Sequence, residues 1–146
     1  MGDLSFRAPI DADMMVARQL LSAAALPVAD VSIDRLALVA ELDGEVAGLI
    51  GLEQFIDIGL LRSLVVPPAN RSGGVGKALV AGLEKLAIEK GVNELWLLTI
   101  DADAWFAQLG YCTQERDAAP PAIQQTEEFS GLCPDDAVLM RKVLQD

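Results

Sequence analysis

Two adjacent prolines and the glycine cluster behind them constrain this chain more than any other stretch. Leu60-Leu61-Arg62-Ser63-Leu64-Val65-Val66 has strand character, Pro67-Pro68 stops it, and Ala69-Asn70-Arg71-Ser72-Gly73-Gly74-Val75-Gly76 turns the chain into a helix expected over residues 77–90. Proline has no N–H to give a ladder, so a buried strand has to end at Pro67, and its exit direction is fixed there. Gly73, Gly74 and Gly76 leave main-chain amides uncovered where the helix begins, and first-turn N–H groups have no partner within a helix. The positive helix end, with Arg71 and Lys77 beside it, suits a phosphate or pyrophosphate. A tight turn with close helix–sheet packing uses the same glycines.

Two better-known glycine loops do not fit. A P-loop needs Gly-x-x-x-x-Gly-Lys-[Ser/Thr], but its first glycine position here holds Arg71, and Ala78 follows Gly76-Lys77. A dinucleotide fingerprint needs Gly-x-Gly-x-x-Gly in a first βαβ unit with an acidic residue on the next strand, and these glycines are spaced differently.

Composition bounds the partners. The 146 residues suit one domain with a sizeable core. Although 52% of the residues are apolar, no unbroken apolar run nears the roughly 20 residues of a membrane span. No basic-then-apolar leader opens the chain and Phe6 spoils a myristoylation signal, so a soluble, cytoplasmic protein is expected. Eleven basic against 22 acidic residues give a net charge of −11, which argues against nucleic acid as a partner. Arg62, Arg71, Lys77 and Lys85 nevertheless fall in or near the central unit, an arrangement suited to a small anionic cofactor on an acidic body. Cys112 and Cys133 are too few for a disulfide framework. The chain has no histidine, hence neither the commonest general base nor the commonest metal ligand, and no metal is expected.

Taken in order, Leu4-Ser5-Phe6-Arg7 alternates like a short strand, and Asp11 is the expected N-cap of a helix over residues 12–25. Residues 36–42 and 45–55 read as strands joined by Asp43-Gly44, a two-residue hairpin signal, so they should pair antiparallel. Ile56-Asp57-Ile58-Gly59 turns the chain into the central strand, whose alternation puts Arg62 and Leu64 on one face and Leu61, Ser63 and Val65 on the other. Gly91 stops the central helix, and residues 92–99 form a second buried strand parallel to the first. Asp103 is the expected cap of a short helix ended by Gly110, residues 122–125 make a helical turn, and residues 137–144 form a closing strand.

Arg71-Ser72-Gly73-Gly74-Val75-Gly76 matches Arg/Gln-x-x-Gly-x-Gly/Ala and so resembles the acyl-CoA pyrophosphate loop of the GNAT N-acetyltransferase superfamily. The resemblance continues through Val66-Pro67, Ala78-Leu79-Val80, the strand Leu95-Trp96-Leu97-Leu98-Thr99, and Ala104-Trp105-Phe106-Ala107-Gln108-Leu109-Gly110-Tyr111. Leu61-Arg62-Ser63-Leu64, Leu97-Leu98-Thr99 and Glu128-Phe129-Ser130-Gly131-Leu132-Cys133-Pro134 look like the acetyltransferases of bacterial arsenic-resistance operons. The implied fold is α/β (α+β), a single domain over residues 1–146 with a mixed, mostly antiparallel sheet of about six or seven strands, helices on both faces, and a central parallel pair splayed around the cofactor.

The resemblance also implies acetyl-CoA as cosubstrate, held by Leu64, Val65, Val66, Arg71, Ser72, Gly73, Gly74, Val75, Gly76, Lys77 and Phe106. It places Met14, Met15, Arg18 and Leu26 on the substrate side, although ordinary core packing is the better reading of the two methionines. The acceptor amine needs a base, for which Glu53 is the first candidate and Glu128 the second, each with an alternative as a solvated or ion-paired carboxylate. Many relatives carry a leaving-group tyrosine where Phe106 stands, so water is the expected acid, and Tyr111 reads as core. A main-chain N–H near Leu64 or Val65 would stabilise the oxyanion.

Arg62 stands where many relatives carry a carboxylate. With Ser63 and Thr99 it is a substrate-binding candidate that suits a carboxylate, phosphinate or arsinate; its alternative is an ion pair with Asp57 or Glu53. The expectation is an N-acetyltransferase for a small, amino-acid-like anionic amine, with organoarsenical resistance as the sharper version and a non-catalytic acyl-CoA sensor as the rival. Acetylation of protein N-termini would need a groove that residues 123–132 are expected to block. The oligomeric state is left open, a homodimer being one option.

Overall fold

The computed structural model describes residues 4–24, 26, 32–68, 70, 74–126, 129 and 137–145. Its elements run β1 (Leu4–Arg7), α1 (Asp13–Ala23), β2 (Leu36–Leu42), β3 (Glu45–Phe55), β4 (Ile58–Val65), α2 (Val75–Glu89), β5 (Glu94–Thr99), α3 (Asp103–Gln108), β6 (Cys112–Gln114), α4 (Pro121–Gln124) and β7 (Val138–Val143), with 3-10 turns at Ile33–Arg35 and Arg116–Ala118. The strands form one seven-stranded sheet in the order β1-β2-β3-β4-β5-β7-β6. β4 pairs with β5 in parallel, Ile58–Leu60 against Glu94–Trp96, whereas β1/β2, β2/β3, β5/β7 and β6/β7 are antiparallel. This is the mixed sheet expected from the sequence, with the three-residue β6 as the strand that sequence reading misses. No helix among the described residues is long and apolar enough to cross a membrane.

The residues group into two compact units, Met1–Leu52 with Ser63–Leu86, and Glu53–Arg62 with Ala87–Asp146. In the first unit Asp43 and Gly44 both take positive φ (54° and 83°), the conformation of a tight type I′ hairpin turn. Neighbouring residues on a strand point to opposite faces. Val39 and Leu49 pack with Ala17 and Leu21 of α1, whereas a Cβ on Gly48 would stand 2.9 Å from Leu79, and one on Gly82 would stand 3.0 Å from Leu38. Helices α1 and α2 therefore cover opposite faces of β2 and β3.

The start of α1 departs from expectation. Ala12, not Asp11, occupies the N-cap, without a side-chain hydrogen bond. Asp13 organises the entry instead: its carboxylate accepts from Ile10 N–H (2.7 Å) and binds both terminal nitrogens of Arg7 (2.7 and 2.8 Å), while Arg7 Nε reaches Glu41 at 3.1 Å. A bidentate guanidinium on a buried carboxylate replaces a simple cap and ties β1, β2 and α1 together.

In the second unit Leu60, Trp96 and Leu139 pack with Ala119 and Ile123 on the face covered by α4. Lys142, one residue along β7 from Arg141 and paired with Leu95, faces the other way; its Nζ donates to Leu109 O (2.8 Å) and lies 5.5 Å from the Tyr111 ring centroid. Here α3 and α4 lie on opposite faces. Gly91 and Gly110 end their helices at φ +85° and +99°, with Val92 N donating to Ala87 O and Tyr111 N to Phe106 O, as the sequence leads one to expect. Asp103 is not a cap: Ala102 occupies that position, and Thr99 Oγ1 accepts from Ala102 N at 3.1 Å.

Candidate active site

The first unit carries the loop end of β4 and the start of α2. Helix α2 begins at Val75, two residues before the expected Lys77, and Ala78 N–H donates its first ladder bond to Gly74 O at 3.0 Å. The N–H groups of Val75, Gly76 and Lys77 thus precede the ladder at the positive end of a 15-residue helix. Gly74 takes φ +78°, and a Cβ there would meet nothing within 4 Å, so the position demands conformational freedom rather than space. Val75 is buried and Lys77 exposed. Asn70 N donates to Pro67 O (2.9 Å), closing the turn that the prolines begin. Arg71, Ser72 and Gly73 lie outside the described residues.

Gly48 sets where this helix start sits, a role that sequence reading misses. A side chain at Gly48 would come within 2.9 Å of Leu79 Cδ1, 3.1 Å of Val65 O and 3.2 Å of Val75 Cγ1. The first turns of α2 therefore rest against β3 main chain, beside the end of β4. Ser63 is the second missed feature. Its φ of +57° inside β4 interrupts the strict alternation expected there. A non-glycine residue in this conformation costs about 1–2 kcal/mol, and such strain gathers at functional sites. Leu64 is half-buried and Val65 buried, and Ser63 and Val66 each make further polar contacts.

The second unit brings Glu53 and Arg62 together. Arg62 Nη1 donates to Glu53 Oε2 at 3.3 Å; the Arg62 side chain has no exposed surface and that of Glu53 is 13% exposed. This is the ion pair weighed as the alternative for Arg62, with Glu53 rather than Asp57 as partner. Two-residue spacing puts Glu53 with Phe55, and Arg62 with Leu60 and Ile58, on the face that α4 covers. Gln54 points the other way and donates to Lys90 O at 2.9 Å. The charged pair therefore adjoins an apolar surface of Leu60, Trp96, Leu98 and Phe129.

Further along that face Glu94 accepts from Trp96 Nε1 (2.8 Å) and Arg141 Nη2 (2.8 Å). Burial pushes its carboxyl upward, but the bonds from Arg141 and Trp96 prevail and hold it below the usual carboxylate range. Phe106 is buried, with the rings of Trp105 and Tyr111 edge-on at 4.8 and 5.5 Å, and Tyr111 is buried as expected. Thr99 is half-buried and engaged with Ala102, Cys112 is exposed, and Glu128 and Cys133 lie outside the described residues. Among the described residues no cluster of three or more His, Cys, Asp or Glu could hold a metal ion.

A profile of the acetyltransferase (GNAT) family matches residues 16–111, from α1 through the glycine loop to the end of the α3 segment. The chain belongs to this family. As a GNAT protein it is 32% identical over 95 residues to an amino-acid acetyltransferase of Neisseria meningitidis serogroup A, a match covering 64% of this chain and 22% of that protein. It is 33% identical over 86 residues to an uncharacterised N-acetyltransferase of Chlorobaculum tepidum, covering 58% of this chain and 55% of the relative. The chain thus spans about a fifth of the first relative and just over half of the second. Its fold superposes on N-acetylglutamate synthase from Neisseria gonorrhoeae, solved with coenzyme A and N-acetyl-glutamate, with a TM-score of 0.85 at 22% identity over 100% of this chain and 36% of that one. Gly74 and the α2 start fall inside the residues that the family profile matches.

Proposed function

We propose that the chain is an acetyl-CoA-dependent N-acetyltransferase acting on the amine of a small, amino-acid-like anionic acceptor, with residues 1–146 working as one catalytic domain. The observation that carries the acceptor assignment is Arg62, a fully enclosed guanidinium beside Glu53 on a largely apolar face. The membership in the GNAT family and the amino-acid acetyltransferases among its relatives support the reaction type.

In this reading the pyrophosphate of acetyl-CoA sits on the N–H groups of Val75, Gly76 and Lys77, with Gly74 turning the chain beneath it, together with Arg71, Ser72 and Gly73. The acyl arm follows the main chain of Ser63 to Val66. Arg62 takes the acceptor's carboxylate, for which a guanidinium is the matching fork. The neutral amine attacks the thioester carbonyl and the C–S bond breaks. The proton on nitrogen passes to Glu53, directly or through water, and the departing thiolate takes a proton from water, because Phe106 has none to give. A main-chain N–H of Leu64 or Val65 meets the oxyanion. The arsinate version of the acceptor rests on the same guanidinium and on the resemblance noted in the sequence.

The sensor reading draws support from two observations: Phe106 replaces a potential acid, and Arg62 already competes for the Glu53 lone pairs. Incubating the protein with acetyl-CoA and the standard L-amino acids, with phosphinate and arsinate analogues alongside, and reading acetylated products by mass spectrometry separates the two. Turnover of an anionic amine supports the enzyme. Acetyl-CoA binding without turnover of any amine leaves the sensor.

A further inference from the structure

Arg116 stands in the turn ahead of α4 and is half-buried. Its Nη2 donates to Phe129 O at 3.2 Å and its Nη1 to Ala137 O at 3.4 Å, while its Cζ lies 4.5 Å from the Phe129 ring centroid. One guanidinium therefore holds Phe129 by main chain and ring, and fastens it to the residue that precedes β7. Phe129 N donates to Thr126 Oγ1 (3.2 Å), which donates to Ile123 O (2.7 Å), so the hold on Phe129 is continuous with α4.

The Phe129 ring packs against the cluster of Leu60, Trp96, Ile123 and Leu139. Leu60 precedes Arg62 by one step of the same strand face. The distance of Phe129 from the sheet is thus set over a cluster that reaches within one strand step of Arg62. An apolar contact by itself fixes such a distance poorly, because it is non-directional. A planar fork directed at two carbonyls adds direction to that contact, and a lysine, as a point charge, does not reproduce the geometry.

We propose that Arg116 is a positioning residue that sets the approach of Phe129 to the Arg62 face and so determines which acceptor side chains fit there. The proposal rests on the acceptor binding at Arg62. It predicts an effect on acceptor recognition that does not extend to acetyl-CoA.

The test is steady-state kinetics of the full chain with the L-amino acid that turns over fastest, comparing Arg116→Ala, Arg116→Lys and Phe129→Leu. Arg116→Ala is expected to raise the acceptor KM about tenfold, to move the acetyl-CoA KM less than about twofold, and to shift preference toward larger side chains. Arg116→Lys and Phe129→Leu, which keep a charge or an apolar side chain, should fall between it and the parent; they carry the test if Arg116→Ala does not fold. A lowered urea midpoint with both KM values and the size preference unchanged would make Arg116 merely structural and overturn the proposal. Arg62→Met in the same assay separates the two readings. An unchanged acceptor KM there overturns the acceptor reading and this proposal with it, whereas a raised KM there, alongside inert Arg116 variants, overturns this proposal alone.

Discussion

Arg62 Nη1 stands 3.3 Å from Glu53 Oε2, with the guanidinium enclosed. That distance is long for a charge-assisted bond, and it contrasts with the 2.7 and 2.8 Å grip of Arg7 on Asp13. The tighter pair is architectural. In the proposed reaction an acceptor anion shares Arg62 with Glu53, and Glu53 takes the proton. Glu53→Gln keeps an oxygen for Arg62 but removes the base, so turnover should fall about a hundredfold while acetyl-CoA binding stays within about twofold. Assays of CoA release together with calorimetric titration of acetyl-CoA check this. Undiminished turnover would remove Glu53 from the mechanism.

Gly48→Ala should act where α2 starts against β3 and the end of β4. Three groups wall the missing Cβ, and one of them, Val65 O at 3.1 Å, is main chain that cannot rotate away. Leu79 and Val75 can give by turning their side chains, whereas the Val65 carbonyl moves only with the end of β4, which costs about 1–3 kcal/mol as overpacking does. Because Val75 touches the same Cβ, the end of β4 and the α2 start shift together, and acetyl-CoA binding should weaken several-fold. Urea melts and calorimetry read both effects; unaltered stability would show that side-chain movement alone relieves the contact.

Much of this was legible in the chain itself. Asp43-Gly44 announces its hairpin because both positions need positive φ, and Gly91 and Gly110 announce helix ends for the same reason. The glycine loop was legible as the approach to a helix, and Arg62 as a partner for Glu53. Gly48 was not, since a glycine inside an apolar strand run says nothing about which helix presses on it. Nor was Ser63, whose left-handed backbone is imposed by tertiary context on a residue without a glycine's signature. The choice of Asp13 over Asp11 at α1 depended on Arg7, six residues away, reaching back to it. Capping rules that look only at the next turn miss such a partner.

Asp13 gives a pH dependence with a definite sign. The bonds from Arg7 hold its carboxyl below the ordinary value of 3.8, against the opposing effect of burial, and the Ile10 N–H adds to the lowering. A carboxyl depressed in the folded state contributes stability in full above its unfolded value and loses it as pH falls through the folded one. Stability should therefore decline as the solution is acidified below about pH 4. Asp13→Asn should cost about 2 kcal/mol at neutral pH, discounted from a fully buried pair because Arg7 is partly exposed, and should flatten that acid limb. Urea unfolding at several pH values tests it. An acid limb as steep in the variant as in the parent would assign it to other carboxylates.

Ile56 and Ser63 are both held at positive φ, 60° and 57°, and they should respond differently to relief. Ile56 caps the turn after β3 at 90% exposure, so its β-branched side chain gains little from packing to offset the strained backbone. Ile56→Asn, which tolerates that conformation, should stabilise the protein by about 1 kcal/mol without changing kinetics. At Ser63 the same conformation lies in the strand that leads to the glycine loop. Ser63→Val should cost about 2 kcal/mol and weaken acetyl-CoA binding, because a β-branched residue pulls the backbone back toward extended geometry and turns the amides of Leu64 and Val65 with it. Ser63→Gly, which accepts the φ, should bind acetyl-CoA as the parent does. If the valine variant binds acetyl-CoA equally well, the left-handed residue has no part in placing those amides.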